Sequence, residues 1–506
     1  MSRMLRHIAS LLFLGIALSA TAQEPLGLHL SNPAFLDLCQ GRWGQVSLDL
    51  SKENGGLMSL SQSPDSYRAG ADARAYCRIS PQLTFFGKMD WTYFYGKEMG
   101  GQILMDPSYN PVNFLESTEE TRGAKHRERY SLEGGLSCKL GDRWAAGFKI
   151  NYESADQAKI KDPRFSNIWM DIDVHAGISC KPGDRWMFGL SLEYRNTLEQ
   201  LKGGVYGTTD KQYFVATNKG NYLGTVSELA GDYNAIPVSS LRPLSNQFFG
   251  GSVQTVLDDV FASELWFQLR SGYYGRKSST TATFYEWDGL RAGYKAWLLI
   301  PVSGGTHRMD WKIDFESLTN RENKFRYVTP EGQNTVVDYL GQDVILHRIQ
   351  ASAQAGYSWN NVLGIRLNGR FQSQTAELFP YTRRQYVLSL GADLFGRKDF
   401  PVGKSRLTAE LHALFGGGFG TPKEDEMTPG VASTLKSFDN YLYRQYEYET
   451  ALRAGATAAL TWALPARGKM APYVRLSDQY LHLLSAPKYL EGAGRNVAVV
   501  SIGCNF

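Results

Sequence analysis

From Gly44 to the last residue, apolar and polar side chains alternate almost one for one. Ala69, Ala71, Ala73, Ala75, Cys77 and Ile79 fall on one face and Arg68, Asp72, Arg74 and Arg78 on the other. Tyr130, Leu132, Leu136 and Cys138 oppose Ser131, Glu133, Ser137 and Lys139, and Met309, Trp311, Ile313 and Phe315 oppose Asp310, Lys312, Asp314 and Glu316. Successive side chains of a strand point to opposite faces, so each segment reads as a strand with one greasy and one polar side. Strands of about ten residues with this alternation are the pattern of a wall with lipid outside and water inside. The tally predicts an all-β, transmembrane, antiparallel up-and-down barrel of about 18 strands over residues 44–506, by the even-count rule for such barrels.

The stretch GLSCKLGDRWAAG at Gly135–Gly147 nearly recurs as GISCKPGDRWMFG at Gly177–Gly189. Each copy is a hairpin whose Gly-Asp dipeptide makes a tight turn. Trp144 and Trp186 follow the turns directly, at the depth where aromatic girdles sit. Alternate connections are short, such as GDR and KPGDR, whereas Glu98–Arg127, Asn196–Ser245, Thr319–Gln342 and Gly417–Leu442 read as long loops. Short turns on the periplasmic side and long loops outside are the expected arrangement. A connection as long as Asn196–Ser245 is usually functional, as a constriction, a cap or a contact surface.

The N-terminus fits export. Arg3 and Arg6 precede an apolar run from Ile8 to Leu18, and Ala20-Thr21-Ala22 offers small residues for cleavage, so residues 1–22 are expected to be a signal peptide. Residues 23–43 are then a periplasmic or lumenal segment ahead of the barrel. Beyond the leader no apolar run reaches helical membrane-span length. The balance of 54 Lys and Arg against 50 Asp and Glu gives a net charge of +4, which points to no nucleic-acid partner. The 5 cysteines are an odd number, and Cys77, Cys138, Cys180 and Cys504 share the apolar face near one end of their strands. They read as small apolar filler, with neither metal nor cofactor expected.

The last strand, Ala498, Val500, Ile502, Cys504 and Phe506, ends on an aromatic residue. This resembles the terminal signal of outer-membrane barrels, and the resemblance implies recognition of Phe506 by the barrel-assembly machinery. From leader to Phe506 the chain resembles the Gram-negative outer-membrane β-barrel class, in an uncharacterised family, which implies the outer membrane and its lipid as surroundings. SNPAF at Ser31–Phe35 is similar to the Asn-Pro-Ala motif of fatty-acid-transporter-like barrels, where a short N-terminal segment enters the lumen.

The inward face carries both signs of charge: Arg74, Asp90, Lys149, Asp171, Asp173, Glu193, Arg195, Arg270, Asp310, Lys312, Asp314, Arg366, Arg370, Glu410 and Arg453, with His175 and His412 among them. On the lipid face an Arg or Lys at mid-bilayer would cost about 2–4 kcal/mol, so this placement is enforced. Water-filled lumens use such residues to select solutes, although opposite charges on neighbouring strands also simply pair. The leading expectation is a channel or transporter for a small-molecule solute. The alternatives are a non-conducting scaffold in an envelope assembly and, third, a barrel-wall hydrolase built on Asp171, Asp173 and His175 or on Glu410 and His412. No recognised hydrolase motif supports the last, and no catalytic residue is assigned.

Overall fold

A computed structural model describes residues 30–506 except 107–108, 117–118, 207–209, 230–241, 259 and 277. The expected signal peptide lies outside the described residues. In chain order the strands are β1 (Arg42–Gly55), β2 (Asp65–Ser80), β3 (Leu83–Met99), β4 (Asn113–Glu116), β5 (Gly123–Lys139), β6 (Trp144–Lys159), β7 (Arg164–Cys180) and β8 (Trp186–Gly204). Then come β9 (Phe214–Gly220), β10 (Leu223–Glu228), β11 (Leu244–Leu257), β12 (Phe261–Gly275), β13 (Thr283–Val302), β14 (Gly305–Val328) and β15 (Val336–Trp359). The last are β16 (Leu363–Leu378), β17 (Tyr381–Val402), β18 (Ser405–Met427), β19 (Lys436–Ser437), β20 (Arg453–Ala463), β21 (Ala471–Leu483) and β22 (Gly494–Asn505). Among the described residues an α-helix, α1 (Asp439–Thr450), lies between β19 and β20, and a 3-10 turn, Pro33–Leu38, precedes β1.

An 18-stranded antiparallel sheet closes on itself, because β1 pairs with β2 on one side and β22 on the other. The predicted barrel is therefore the observed one. Closure removes the sheet edge, which no exposed sheet in lipid can leave unpaired. At the seam Gly44 and Phe506 exchange both backbone hydrogen bonds, at 2.8 and 2.9 Å. The Phe506 ring lies over Gly44, where any Cβ would meet it at 2.4 Å.

The apolar members of each alternating strand face outward and stay bare: Leu192 is 58 % exposed and Leu460 48 %. In a soluble fold these residues would form the core. Their exposure on a closed wall makes this an outer-membrane type of barrel, wrapped by an apolar belt.

Some of the stretches read as loops are wall. β14 and β15 run 24 residues each, so Thr319–Val328 pairs with Val336–His347 and most of the stretch read as a loop is wall. Register shifts at Asn320/Arg321 and Lys324/Phe325 break the period-two pattern there. The apolar face there shrinks to Phe325, Tyr327, Val337 and Tyr339, and Arg321–Asp288, Lys324–Asp343 and Arg326–Asp338 ion pairs decorate these strand ends. Likewise β8 extends through Gly204 and β18 through Met427, and the segments beyond them hold β9, β10, β19 and α1. The four short strands β4, β9, β10 and β19 form a second sheet. Below, "turn end" means the end of the barrel bearing connections such as Gly403–Lys404, and "loop end" the other.

Candidate functional site

Among the described residues, chain fills the interior at two places. The first is Ser31–Leu38, near the turn end. Asn32 caps its own turn by accepting from Ala34 N at 2.9 Å, and its Nδ2 donates to Ile178 O, Leu190 O and Gln254 Oε1 at 2.9–3.2 Å. Ser31 N donates to Glu264 Oε2 at 3.1 Å, and Ser137 Oγ donates to Ala34 O at 3.0 Å. Glycines make the seat. A Cβ on Gly177 would fall 2.1 Å from Asn32 Oδ1, and one on Gly147 would fall 2.4 Å from Pro33 C. Gly189 meets Phe35 and Gly135 meets Leu36 in the same manner. These four glycines bound the two copies of the repeated stretch, so the repetition builds one cradle from neighbouring hairpins.

The second segment is the cap at the loop end, comprising the β4 connection and the β9–β10 hairpin. Its Ile103, Leu104, Phe114 and Val215 pack against inward wall residues Tyr274, Trp287 and Leu318 in one buried apolar cluster. Lys159 pairs with fully buried Glu116, Lys125 donates to Gln102 O at 2.7 Å, and Asn167 donates to Ile103 O at 3.1 Å. At the far side Asn221, in the β9–β10 turn, donates to Gln374 O and Arg383 O, both at 3.1 Å. Arg383, 1 % exposed, also holds Asp425 at 2.6 and 2.8 Å and Ser437 at 2.8 Å, and so latches hairpin, wall and β19 together.

The tip of the β4 connection, Tyr109–Asn110, reaches a belt of charge on the wall. Arg270 donates to Tyr109 O at 2.7 Å and Arg348 at 3.4 Å, while the Arg270 guanidinium stands 4.6 Å from the Tyr109 ring centre. Burial raises the Tyr109 hydroxyl above its ordinary pKa, against the pull of Arg195, Arg270 and Arg291. Glu316 gathers Arg270 at 2.7 Å, Arg348 at 3.2 Å and Arg291 at 3.3 Å. The pairing register sets His175, Glu193, Gly250, Gln268, Arg291, Glu316, Gln350 and Gln372 directly side by side across eight strands. The belt is thus one hydrogen-bonded row of the barrel.

The predicted inward residues fall into groups. Asp171 and Arg195 form a two-pronged pair at 2.6–3.2 Å, and His175 Nε2 lies 3.0 Å from Asp173 Oδ2. Asp173, His175 and Glu193 bring ligand atoms within 4.8 Å of one another, a donor set of the type that holds a divalent cation. Lys149 pairs with Glu133 at 3.2 Å beside Ser31–Leu38, Arg74 binds Gln45 at 2.7 Å, and Lys312 pairs with Asp314 at 3.0 Å. Asp90 sits opposite Asp72 on β3, and Arg453 donates to Tyr448 O at 2.8 Å beneath α1. Trp144 and Trp186 are half-exposed on the outer face at the turn end, and all 5 cysteines are free thiols.

Ser31–Leu38 lies against β5–β12, whereas the cap reaches across the mouth to β16 and β17. Along β15, β16 and β17 the inward residues form successive rows: Arg348–Gln374–Gln385, Gln350–Gln372–Val387, Ser352–Arg370–Ser389, Gln354–Asn368–Gly391 and Gly356–Arg366–Asp393. The upper rows line a cavity of about 350 Å³ beneath the β9–β10 turn and α1. The lowest row opens on a cavity of about 650 Å³ at the turn end, lined also by Asp310, Arg397, Glu410, His412 and Arg475. There Arg475 holds Glu410 at 2.6 Å, and His412 Nδ1 lies 2.9 Å from Asp393. A polar lane of main-chain rows therefore runs from one cavity toward the other.

Sequence reading places Glu316 on the polar face of its strand without singling it out as a lumen residue, and misses Arg348, Gln350, Gln372 and Tyr109. The first four alternate inward on strands, and the same period-two count that selected Asp314 and Arg370 reaches them. Tyr109 carries no such signal, since nothing in a loop sequence tells where its tip lands.

Among solved structures, the ferric preacinetobactin receptor BauA of Acinetobacter baumannii is similar at 9 % identity and TM-score 0.38, covering 92 % of this chain and 80 % of that one. The ferric enterobactin receptor PfeA of Pseudomonas aeruginosa, as a mutant, gives 10 % identity, TM-score 0.37 and the same coverages, 92 % and 80 %. A Pseudomonas aeruginosa FadL homologue gives 9 % identity, TM-score 0.29 and coverages of 97 % and 99 %. No curated protein matches the chain. A family model does, along residues 33–506, from the cradled turn to the closing phenylalanine, and the chain belongs to that family, a family of unknown function (DUF6850).

Proposed function

We propose that this protein carries a small polar solute across the outer membrane through a lumen narrowed by its own internal segments. The observation that carries this reading is the polar lane on β15–β17, with a cavity at each end. A wall built only for support has no need of inward Gln, Asn, Ser and Arg in five successive rows, since apolar packing would stabilise it as well. On this reading residues 1–22 direct export, the turn end faces the periplasm, Phe506 serves assembly, and the inward charges tune which solutes pass.

A second reading, a non-conducting scaffold, is favoured by the cap, whose buried Lys159–Glu116 pair and apolar cluster fix it in the mouth. Planar-bilayer conductance and liposome swelling separate the two. The test compares the intact protein with a variant in which Phe214–Glu228 is replaced by a Gly-Ser linker of equal length. Transport predicts slow solute entry with the intact protein and conductance several-fold higher in the variant. Two correctly folded proteins that pass neither ions nor solutes would establish the scaffold instead.

A further inference from the structure

We propose that the mouth cavity is a binding site for a neutral polyhydroxylated solute, a mono- or disaccharide; this deepens the transport reading and rests on it. The chemistry of the lining selects the class. Gln350, Gln372, Gln374 and Gln385 present side-chain carboxamides from three adjacent strands, and Gln445 presents another from α1. A carboxamide offers a donor and an acceptor in one plane, which suits the paired hydroxyls of a sugar, each of which also donates and accepts. Tyr222 and Tyr446 add aromatic surface for its C–H faces. Charge around the cavity balances: Arg348 and Arg370 face Asp106 and Glu449. An anion would gain the arginines but meet the two carboxylates, and a cation the reverse, so net charge selects neither.

An independent observation points to a missing polar partner. Asn110 and Asn221 are each 3 % exposed and both line this cavity. Asn110 Nδ2 and Asn221 Oδ1 have no hydrogen-bond partner, although the opposite end of each amide is engaged by the protein. Both atoms are buried, so a hydroxyl-bearing guest completes them once the Asn110 and Asn221 amides turn toward the cavity that their residues line. Leaving such groups unmade is costly, and a bound solute that pairs them gains specificity over an apolar one of equal size. The volume, about 350 Å³, lies at the small end of ligand-pocket size, roughly 300–1,000 Å³.

The test is calorimetric titration of the detergent-purified full-length protein with glucose, galactose, maltose and sucrose, alongside inorganic phosphate and the amino acid glutamine. Liposome uptake of the same six solutes is measured in parallel. The expected result is binding of at least one sugar, weakened tenfold or more by Gln372→Leu, with Gln372→Glu as the variant of matched shape and heat-modifiable electrophoretic mobility as the folding check. Binding of phosphate or glutamine in preference to every sugar overturns the solute class and leaves transport standing. Uptake without measurable binding of any sugar, or sugar binding unchanged in both variants, overturns the site and again spares transport. Neither binding nor uptake of any of the six overturns both.

Discussion

Gly177 is the residue on which the interior depends most directly. It has no side chain because Asn32 stands where a Cβ would go, 2.1 Å from Asn32 Oδ1. Gly177→Val is expected to unseat Ser31–Leu38 and destabilise the barrel by about 1–3 kcal/mol, the usual cost of overpacking. Limited proteolysis at the N-terminal segment and the urea midpoint report the two effects. Gly134→Ala serves as control: a Cβ there meets nothing within 4 Å, and neither measure is expected to move. At this scale the sequence spoke in part. The repeat drew notice for its cysteines, turns and tryptophans, yet its glycines carry the packing. A glycine is visible in a sequence, but what approaches it is not, because Asn32 lies far from Gly177 in the chain, on a segment that precedes the first strand.

Among the elements, α1 is held at its start by charge. Burial works to raise the Asp439 carboxyl, but hydrogen bonds from Ser437 and Lys423, with the Lys423 and Arg383 charges behind them, keep it below the ordinary aspartate value. A depressed carboxyl contributes stability that is present above its unfolded pKa, about 3.9, and is lost as pH falls through the lower folded value. Hydrogen exchange along Asp439–Thr450 is therefore expected to be flat from pH 7 to about 5 and, once corrected for intrinsic rates, to accelerate below about 4. Asp439→Asn should remove that pH dependence. Strands were readable wherever one face was apolar, as in β7 and β16. They were unreadable at the outer ends of β14 and β15, where bulges shift the register and the apolar face shrinks to Phe325, Tyr327, Val337 and Tyr339. Helix α1 gave no signal, since DNYLYRQYEYET mixes tyrosine and charge without a clear stripe.

For the whole molecule the decisive property is that its outside is greasier than its inside. Leu390, 51 % exposed on β17, and Asn368, inward on β16, test this within one patch of wall. Leu390→Arg is expected to cost about 2–4 kcal/mol in folding measured in lipid, the price of a cation at mid-bilayer. Asn368→Arg, facing water, should cost well under half as much in the same assay. The fold was legible because lipid imposes one rule on every strand. The lumen was legible only as a set of inward charges, of which Arg366, Glu410 and His412 meet at one cavity while Asp90 and Lys312 stand apart from it. Which inward residues become neighbours depends on strand stagger and on the folded-in segments, and neither has a local sequence signature.

The bond pair between Gly44 and Phe506 seals the wall sideways, so once it forms the cap and the cradled turn have no lateral way in. Ser31–Leu38 is gripped by strands from β5 to β12, and the β9–β10 hairpin by strands up to β17, all of them made before the last strand is in place. Each insert is tethered to the strands that flank it, so it reaches its seat either as the sheet curls or afterwards by folding in through an end of the barrel, never through the wall.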